Sequence, residues 1–231
     1  MSCWYDDTII FINKEGVISS QIGKDETGSY AYDSVYIKDN NSVAVSSGFG
    51  VNRCIAIIDI VSNEFLTTIS MDTHIFGMAI RGGSIYYCAG KKGLKLLNIS
   101  DKSVRDIITR DMTFVYYVAT YEDKLYYANY KTQTVTCCDL HGTTQWEFNS
   151  EHVLEEPRGI SVDNDGDVYV VGYKSNNVVV ISSDGQRHIQ LLSSKDGLVN
   201  PYVLDYDKST NRLLVVNEEH TTFLFDVTRR E

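Results

Sequence analysis

Proline occurs twice in 231 residues, and no Pro-rich or Gly/Ser-rich tract interrupts the chain, so a disordered linker has no place in it. No apolar run approaches the ~18 residues of a membrane span. The five cysteines, Cys3, Cys54, Cys88, Cys137 and Cys138, contain no Cys-x-x-Cys pair. That excludes a zinc knuckle, and the odd count argues against a disulfide framework, so reduced thiols and a cytoplasmic location are expected. Asn40-Asn41-Ser42 and Asn98-Ile99-Ser100 fit the glycosylation sequon, but no signal peptide precedes them. Positive charge is also short: 21 Lys and Arg stand against 31 Asp and Glu, for a net charge of −10. An acidic chain repels a polyphosphate, which argues against broad nucleic-acid binding. Sustained helical periodicity is missing as well.

What remains is β-structure. Short runs rich in Val, Ile and Tyr alternate with Gly, Asn, Asp and Ser turns. They also repeat. Ile9-Ile10-Phe11-Ile12-Asn13-Lys14-Glu15-Gly16 aligns without a gap to Val178-Val179-Val180-Ile181-Ser182-Ser183-Asp184-Gly185, and Val135 to Gly142 has the same form. Equivalent strands recur at Ile55–Ile58, Leu94–Leu97 and Phe223–Asp226. The six copies lie about 40 to 46 residues apart, the period of a four-stranded propeller blade. The spacing predicts one all-β domain over 1–231, a six-bladed β-propeller. Complete blades are expected near 34–69, 77–108, 115–148 and 159–192, and partial blades at 1–22 (with Cys3-Trp4-Tyr5 as a remnant of a strand) and 201–227. The last blade stops after its third strand, so the strand that closes the ring is expected upstream of Met1.

Asp163-Asn164-Asp165-Gly166-Asp167 resembles a calcium loop. An EF-hand needs Gly at its sixth position and Glu at its twelfth, and here those hold Val168 and Lys174. The segment lies between the first two strands of a blade, where Asn, Asp and Gly are favoured because they tolerate positive φ and bond their own backbone. It is read as a hairpin turn, with no metal.

Pro157-Arg158-Gly159-Ile160, Val162-Asp163, Gly166 and Val168-Tyr169-Val170, followed by Asn177-Val178-Val179-Val180 and Ser183-Asp184-Gly185, resemble an NHL repeat. Pro201 to Asp207 and Arg212 to Val216 are a looser copy. The chain is similar to the NHL propellers that end tripartite-motif (TRIM) proteins, in particular the divergent set of bivalve molluscs. That resemblance implies a non-catalytic recognition module without a cofactor, binding a protein or peptide partner and recruiting substrate for a TRIM-type ubiquitin ligase. Single-stranded RNA is the alternative partner, and the net acidity argues against it.

Specificity in such a scaffold sits on loops. The loops between the second and third strands carry Phe49, Arg53, Lys91, Lys92, Tyr130, Lys131, Tyr173 and Lys174. Arg158 and Tyr202 follow the two prolines at the entrance of first strands. Together these ten residues form the expected basic and aromatic binding face. A second alternative is a metal-dependent propeller lactonase or hydrolase, whose ion would be held by oxygen ligands where the first strands begin. Those starts hold Ser34, Gly77, Val115, Arg158 and Tyr202, with Glu156 and Asn200 beside them. His74, His141, His152, His188 and His220 are scattered singly, and there is no Gly-x-Ser-x-Gly. The chain is therefore expected not to be an enzyme.

Overall fold

A computed structural model describes residues 31–228, except 50, 151 and 220, and the strand backbone at 2–3, 8–12 and 18–22. His220 and Trp4-Tyr5 of the expected N-terminal remnant lie outside the described residues. The strands divide between two compact units, 1–113 and 114–231. Unit 1 contains β1 (Ser2–Cys3), β2 (Thr8–Ile12), β3 (Ile18–Ile22), β4 (Ser34–Ile37), β5 (Ser42–Ser46), β6 (Cys54–Asp59), β7 (Phe65–Ser70), β8 (Met78–Arg81), β9 (Ser84–Cys88), β10 (Leu94–Asn98) and β11 (Val104–Ile108). Unit 2 contains β12 (Val115–Tyr121), β13 (Lys124–Asn129), β14 (Thr134–Asp139), β15 (Thr144–Asn149), β16 (Pro157–Val162), β17 (Val168–Gly172), β18 (Asn177–Ile181), β19 (His188–Leu192), β20 (Pro201–Asp207), β21 (Arg212–Asn217) and β22 (Thr222–Asp226). Within each sheet, strands consecutive in sequence are antiparallel neighbours.

The fold is an all-β propeller, and the expectation of six blades of NHL type is corrected. Five sheets form the blades: β4–β7, β8–β11, β12–β15, β16–β19 and β20–β22. Strands β1–β3 form a separate three-stranded sheet outside these five. The 157–185 stretch that resembles an NHL repeat is the strand, hairpin turn and strand of β16–β18. Any antiparallel blade needs that grammar, because each strand pair requires a tight turn and the middle strands require apolar residues on both faces. It therefore carries no family signature.

Burial follows position in the blade. In the middle strands every residue of β5 and β18 is buried, whereas β19 is exposed over all but its last residue. A middle strand meets a neighbouring layer on each face, which explains its near-continuous apolar sequence. In unit 1 the core between β4–β7 and β8–β11 is built on Ile37, Ile55, Ile57, Ile75, Ile85 and Leu97. Val43, Val45 and Ile58 fill the opposite face of the first of these sheets. In unit 2, Tyr169, Val171, Val178 and Val180 of β16–β19 pack against Leu204, Tyr206, Leu213 and Val215 of β20–β22.

Candidate functional site

The first strands of the three sheets of unit 2 begin alike. Val115, Pro157 and Pro201 pair with Asn129, Gly172 and Asn217. In each case the register shifts directly afterwards. A bulge at that point re-aims the residues it contains, and here these are Tyr116, Arg158 and Tyr202. Expected as the equivalent of Arg158, Val115 instead occupies the proline position, and Tyr116 stands in the row with Arg158 and Tyr202. A second row comes from the loops after the second strands, where Tyr130, Tyr173 and Glu218 follow Asn129, Gly172 and Asn217.

A repeated clasp holds the rows together. Gln133 and Asn176 have positive φ (59° and 52°), as do Glu156 and Asn200 (49° and 47°). The Gln133 side-chain oxygen accepts from the Glu156 N–H at 3.2 Å, and the Asn176 oxygen accepts from the Asn200 N–H at 2.6 Å. Glu156 and Asn200 in turn accept, through their carbonyls, the N–H groups of Tyr173 (3.1 Å) and Glu218 (3.0 Å). Asn tolerates this left-handed geometry better than Glu, and Glu156 and Asn200 both stand before a proline, which restricts them further. Such strain costs on the order of 1–3 kcal/mol and collects at functional sites.

Arg158 is the centre of the cluster. Its guanidinium carbon lies 3.6 Å from the centroid of the Tyr173 ring, 4.7 Å from Tyr202 and 5.7 Å from Tyr130. Each such contact contributes about 0.5–2 kcal/mol. Among the described residues one acceptor reaches it, Glu156 Oε2 at 3.4 Å, and its Nε is buried without a hydrogen-bond partner. Lys174 Nζ is 2.5 Å from the other oxygen of Glu156. Burial would raise the pKa of Glu156, but the Lys174 ammonium and the Arg158 guanidinium outweigh it and hold the carboxyl below the usual range. A hydrogen bond from Tyr173 to Glu218, 2.5 Å long, raises the Tyr173 pKa, with burial adding to the shift. Burial, followed by the Tyr130 hydroxyl, raises that of Tyr116. The result is a clamped cation whose charge is shared with a single carboxylate. It is pre-organised to bind or stabilise an oxyanion.

Among the ten residues expected from sequence, Tyr130, Arg158, Tyr173, Lys174 and Tyr202 thus converge. Lys131 shares the Tyr130 loop and is exposed, its N–H donating to Asn129 Oδ1 at 3.0 Å. The remaining four belong to unit 1. There Phe49 packs 4.8 Å from the Phe76 ring, Arg53 donates to the Asp72 carbonyl at 3.4 Å, Lys92 pairs with the Asp72 carboxylate at 2.7 Å, and Lys91 is exposed. Tyr116, Glu156 and Glu218 joined the cluster without having been selected from sequence. Tyr116 and Glu218 could have been found by aligning the rows to the bulges, and Glu156 by its place before Pro157.

The Asp163–Asp167 segment is knit as a turn. Asp163 Oδ1 accepts from the N–H groups of Asp165 (2.9 Å) and Asp167 (3.0 Å), and Asp59, Asp139 and Asp207 do the same for their own turns. A divalent ion fits poorly beside Arg158, because the carboxylate there already serves two cations. Among the described residues no three His, Cys, Asp or Glu side chains converge on one point.

Neither a protein-family model nor a curated protein sequence matches the chain. Solved structures do. A streptogramin B lyase is 14% identical, with a TM-score of 0.69, over 98% of this chain and 78% of the lyase. The fold resembles that of the streptogramin B lyases. The virginiamycin B lyase of Staphylococcus aureus, solved with quinupristin as a catalytically inactive histidine-to-alanine variant, is 14% identical with a TM-score of 0.68, over 96% of this chain and 78% of that one. A nidogen/laminin complex also matches, at 13% identity and a TM-score of 0.73, over 96% of this chain and 91% of that one. The likeness to the lyases overturns the expected TRIM-type affiliation. The accompanying readings, a non-catalytic scaffold and no enzyme, are corrected with it.

Proposed function

We propose that this protein is an enzyme that cleaves a bond in a small molecule, with its site at the Arg158 cluster of unit 2. The observation that carries the reading is the Arg158 guanidinium, clamped between tyrosine rings and served by one long hydrogen bond. In bond cleavage, negative charge develops on the departing oxygen, and a pre-organised cation stabilises it most where water is excluded. Tyr130, Tyr173 and Tyr202 supply flat apolar walls for the substrate, and Lys174 supplies a second positive charge at the rim. The fold likeness to lyases supports this reading over a protein-binding one. The buried cysteines Cys54, Cys88, Cys137 and Cys138 suit a reducing compartment.

The test is a panel of cyclic and linear esters together with quinupristin, followed by mass spectrometry. An elimination opens a ring without changing its mass, whereas hydrolysis adds one water, so the same experiment separates a lyase from a hydrolase. Arg158→Met is expected to lower turnover by about 10²–10³-fold, the usual effect of removing one oxyanion donor. Turnover by the wild type that Arg158→Met retains in full would place the chemistry elsewhere.

A further inference from the structure

We infer that Asp205, backed by Ser161, is the group that exchanges a proton with a substrate held at Arg158. This rests on the reading of the Arg158 site given above.

Asp205 lies in the middle of β20, three residues beyond Tyr202; solvent can reach its side chain although protein surrounds most of it, and its strand neighbours Leu204 and Tyr206 are buried. Ser161 is three residues beyond Arg158 on the adjacent β16. Its hydroxyl donates to Asp205 Oδ1 at 3.1 Å and accepts the Tyr206 N–H at 3.1 Å. Three residues of strand span about 10 Å, so a molecule of that length anchored on Arg158 reaches Asp205.

The far end of these strands is tied off. Lys208 lies with its ammonium 4.6 Å from the centroid of the Tyr121 ring. The Tyr121 hydroxyl donates to the Asn164 carbonyl at 2.8 Å, and the Asn164 amide donates to the Lys208 carbonyl at 2.9 Å and to Asn211 Oδ1 at 3.0 Å. The turns of all three sheets are therefore joined to one another beyond Asp205.

The chemistry of the two residues fits transfer. Surrounding protein disfavours the charge on Asp205 and raises its pKa, against the Ser161 hydroxyl and the Tyr206 N–H, which lower it. Asp207 also raises it and Lys208 lowers it. Burial lowers the pKa of Lys208 itself, opposed by Asp163 and Asp205. A carboxylate moved towards neutrality is the better general base at physiological pH. In the step, Asp205 takes one proton from the substrate and the freed electron pair forms the new bond. The leaving oxygen departs with the electrons of the broken bond, Arg158 balances the negative charge carried by the departing fragment, and Asp205 then releases the proton to solvent.

The experiment is the pH dependence of kcat and KM for the wild type, Asp205→Asn and Ser161→Ala on the panel above, with melting curves as the check on folding. Asp205→Asn should lower kcat by at least about 10²-fold, leave KM within a few-fold, and abolish the low-pH limb of the profile. Ser161→Ala, which deletes a hydrogen bond to the charged form, should move that limb to higher pH. Turnover that Asp205→Asn keeps with the wild-type profile overturns this inference and leaves the Arg158 reading standing. A panel that the wild type does not turn over at all overturns both.

Discussion

A raised carboxylate pKa carries a stability cost that can be measured without any substrate. Asp205 binds its proton more tightly folded than unfolded. Its contribution to stability is therefore present in full below the unfolded carboxylate pKa and is lost as pH rises through the folded value. Asp205→Asn should raise the melting temperature at neutral pH, and the gain should vanish on acidification below the ordinary carboxylate range. Scanning calorimetry of both proteins across that window checks it, and a variant that melts lower at neutral pH would contradict the assignment. Glu156 works in the opposite sense. Its pKa is held low, so its stabilisation is present above the unfolded value and lost as pH falls through the folded one. Acid should loosen the Arg158 cluster first, visible as a change in near-ultraviolet tyrosine circular dichroism. Glu156 and Asp205 thus make opposite demands on pH.

Among the strands, the contact that brings the site together is backbone on backbone. A Cβ on Gly159 would meet the Leu204 nitrogen and the Val203 Cα at 2.8 Å each, with the Tyr202 carbonyl at 3.1 Å. Glycine there lets β16 and β20 approach closely enough for Arg158 to reach the Tyr202 ring. Gly159→Ala cannot be relieved by a side-chain rotation, so it should destabilise by about 1–3 kcal/mol and separate the two strands. Denaturant unfolding gives the energy, and loss of the site's tyrosine signal reports the separation. The turn at Asp163 is a second such element. Its carboxylate satisfies two backbone N–H groups while buried, so Asp163→Ala should cost roughly 1–3 kcal/mol. Added calcium should leave the melting temperature of the wild type unchanged, since only a ligand that binds the native state raises it.

At the scale of the whole molecule the governing quantity is charge. With a net charge of −10 and an isoelectric point near 4.9, mutual repulsion keeps the protein soluble at neutral pH, and that repulsion disappears as the carboxylates are titrated. Turbidity should peak near pH 4.9 and clear again on either side. The same field bears on the substrate. An anionic small molecule must find a local positive site against an acidic background, so raising the ionic strength should weaken its KM only modestly, because Arg158 is mostly shielded from solvent. A steep salt dependence would indicate a polyanion instead.

The sequence by itself determined the strands, their turns and the propeller class. Those follow from local chemistry, because apolar runs fill middle strands buried on both faces, and Asp, Asn and Gly close the hairpins. It also marked Tyr130, Tyr173, Arg158 and Tyr202 as residues at repeated positions. The number of blades was not legible, because spacing counts strands, whereas packing between sheets decides which of them form the ring. Nor could spacing show that Tyr116 rather than Val115 stands in the row of Arg158, since a bulge shifts the register by one residue without a signature in composition. Only the tertiary structure put three sheets side by side, folded their tyrosines around one guanidinium and set Asp205 against Ser161. Those between neighbouring first strands join residues 44 positions apart. They depend on how closely neighbouring strands approach, a distance set by packing and not by any local preference of the chain.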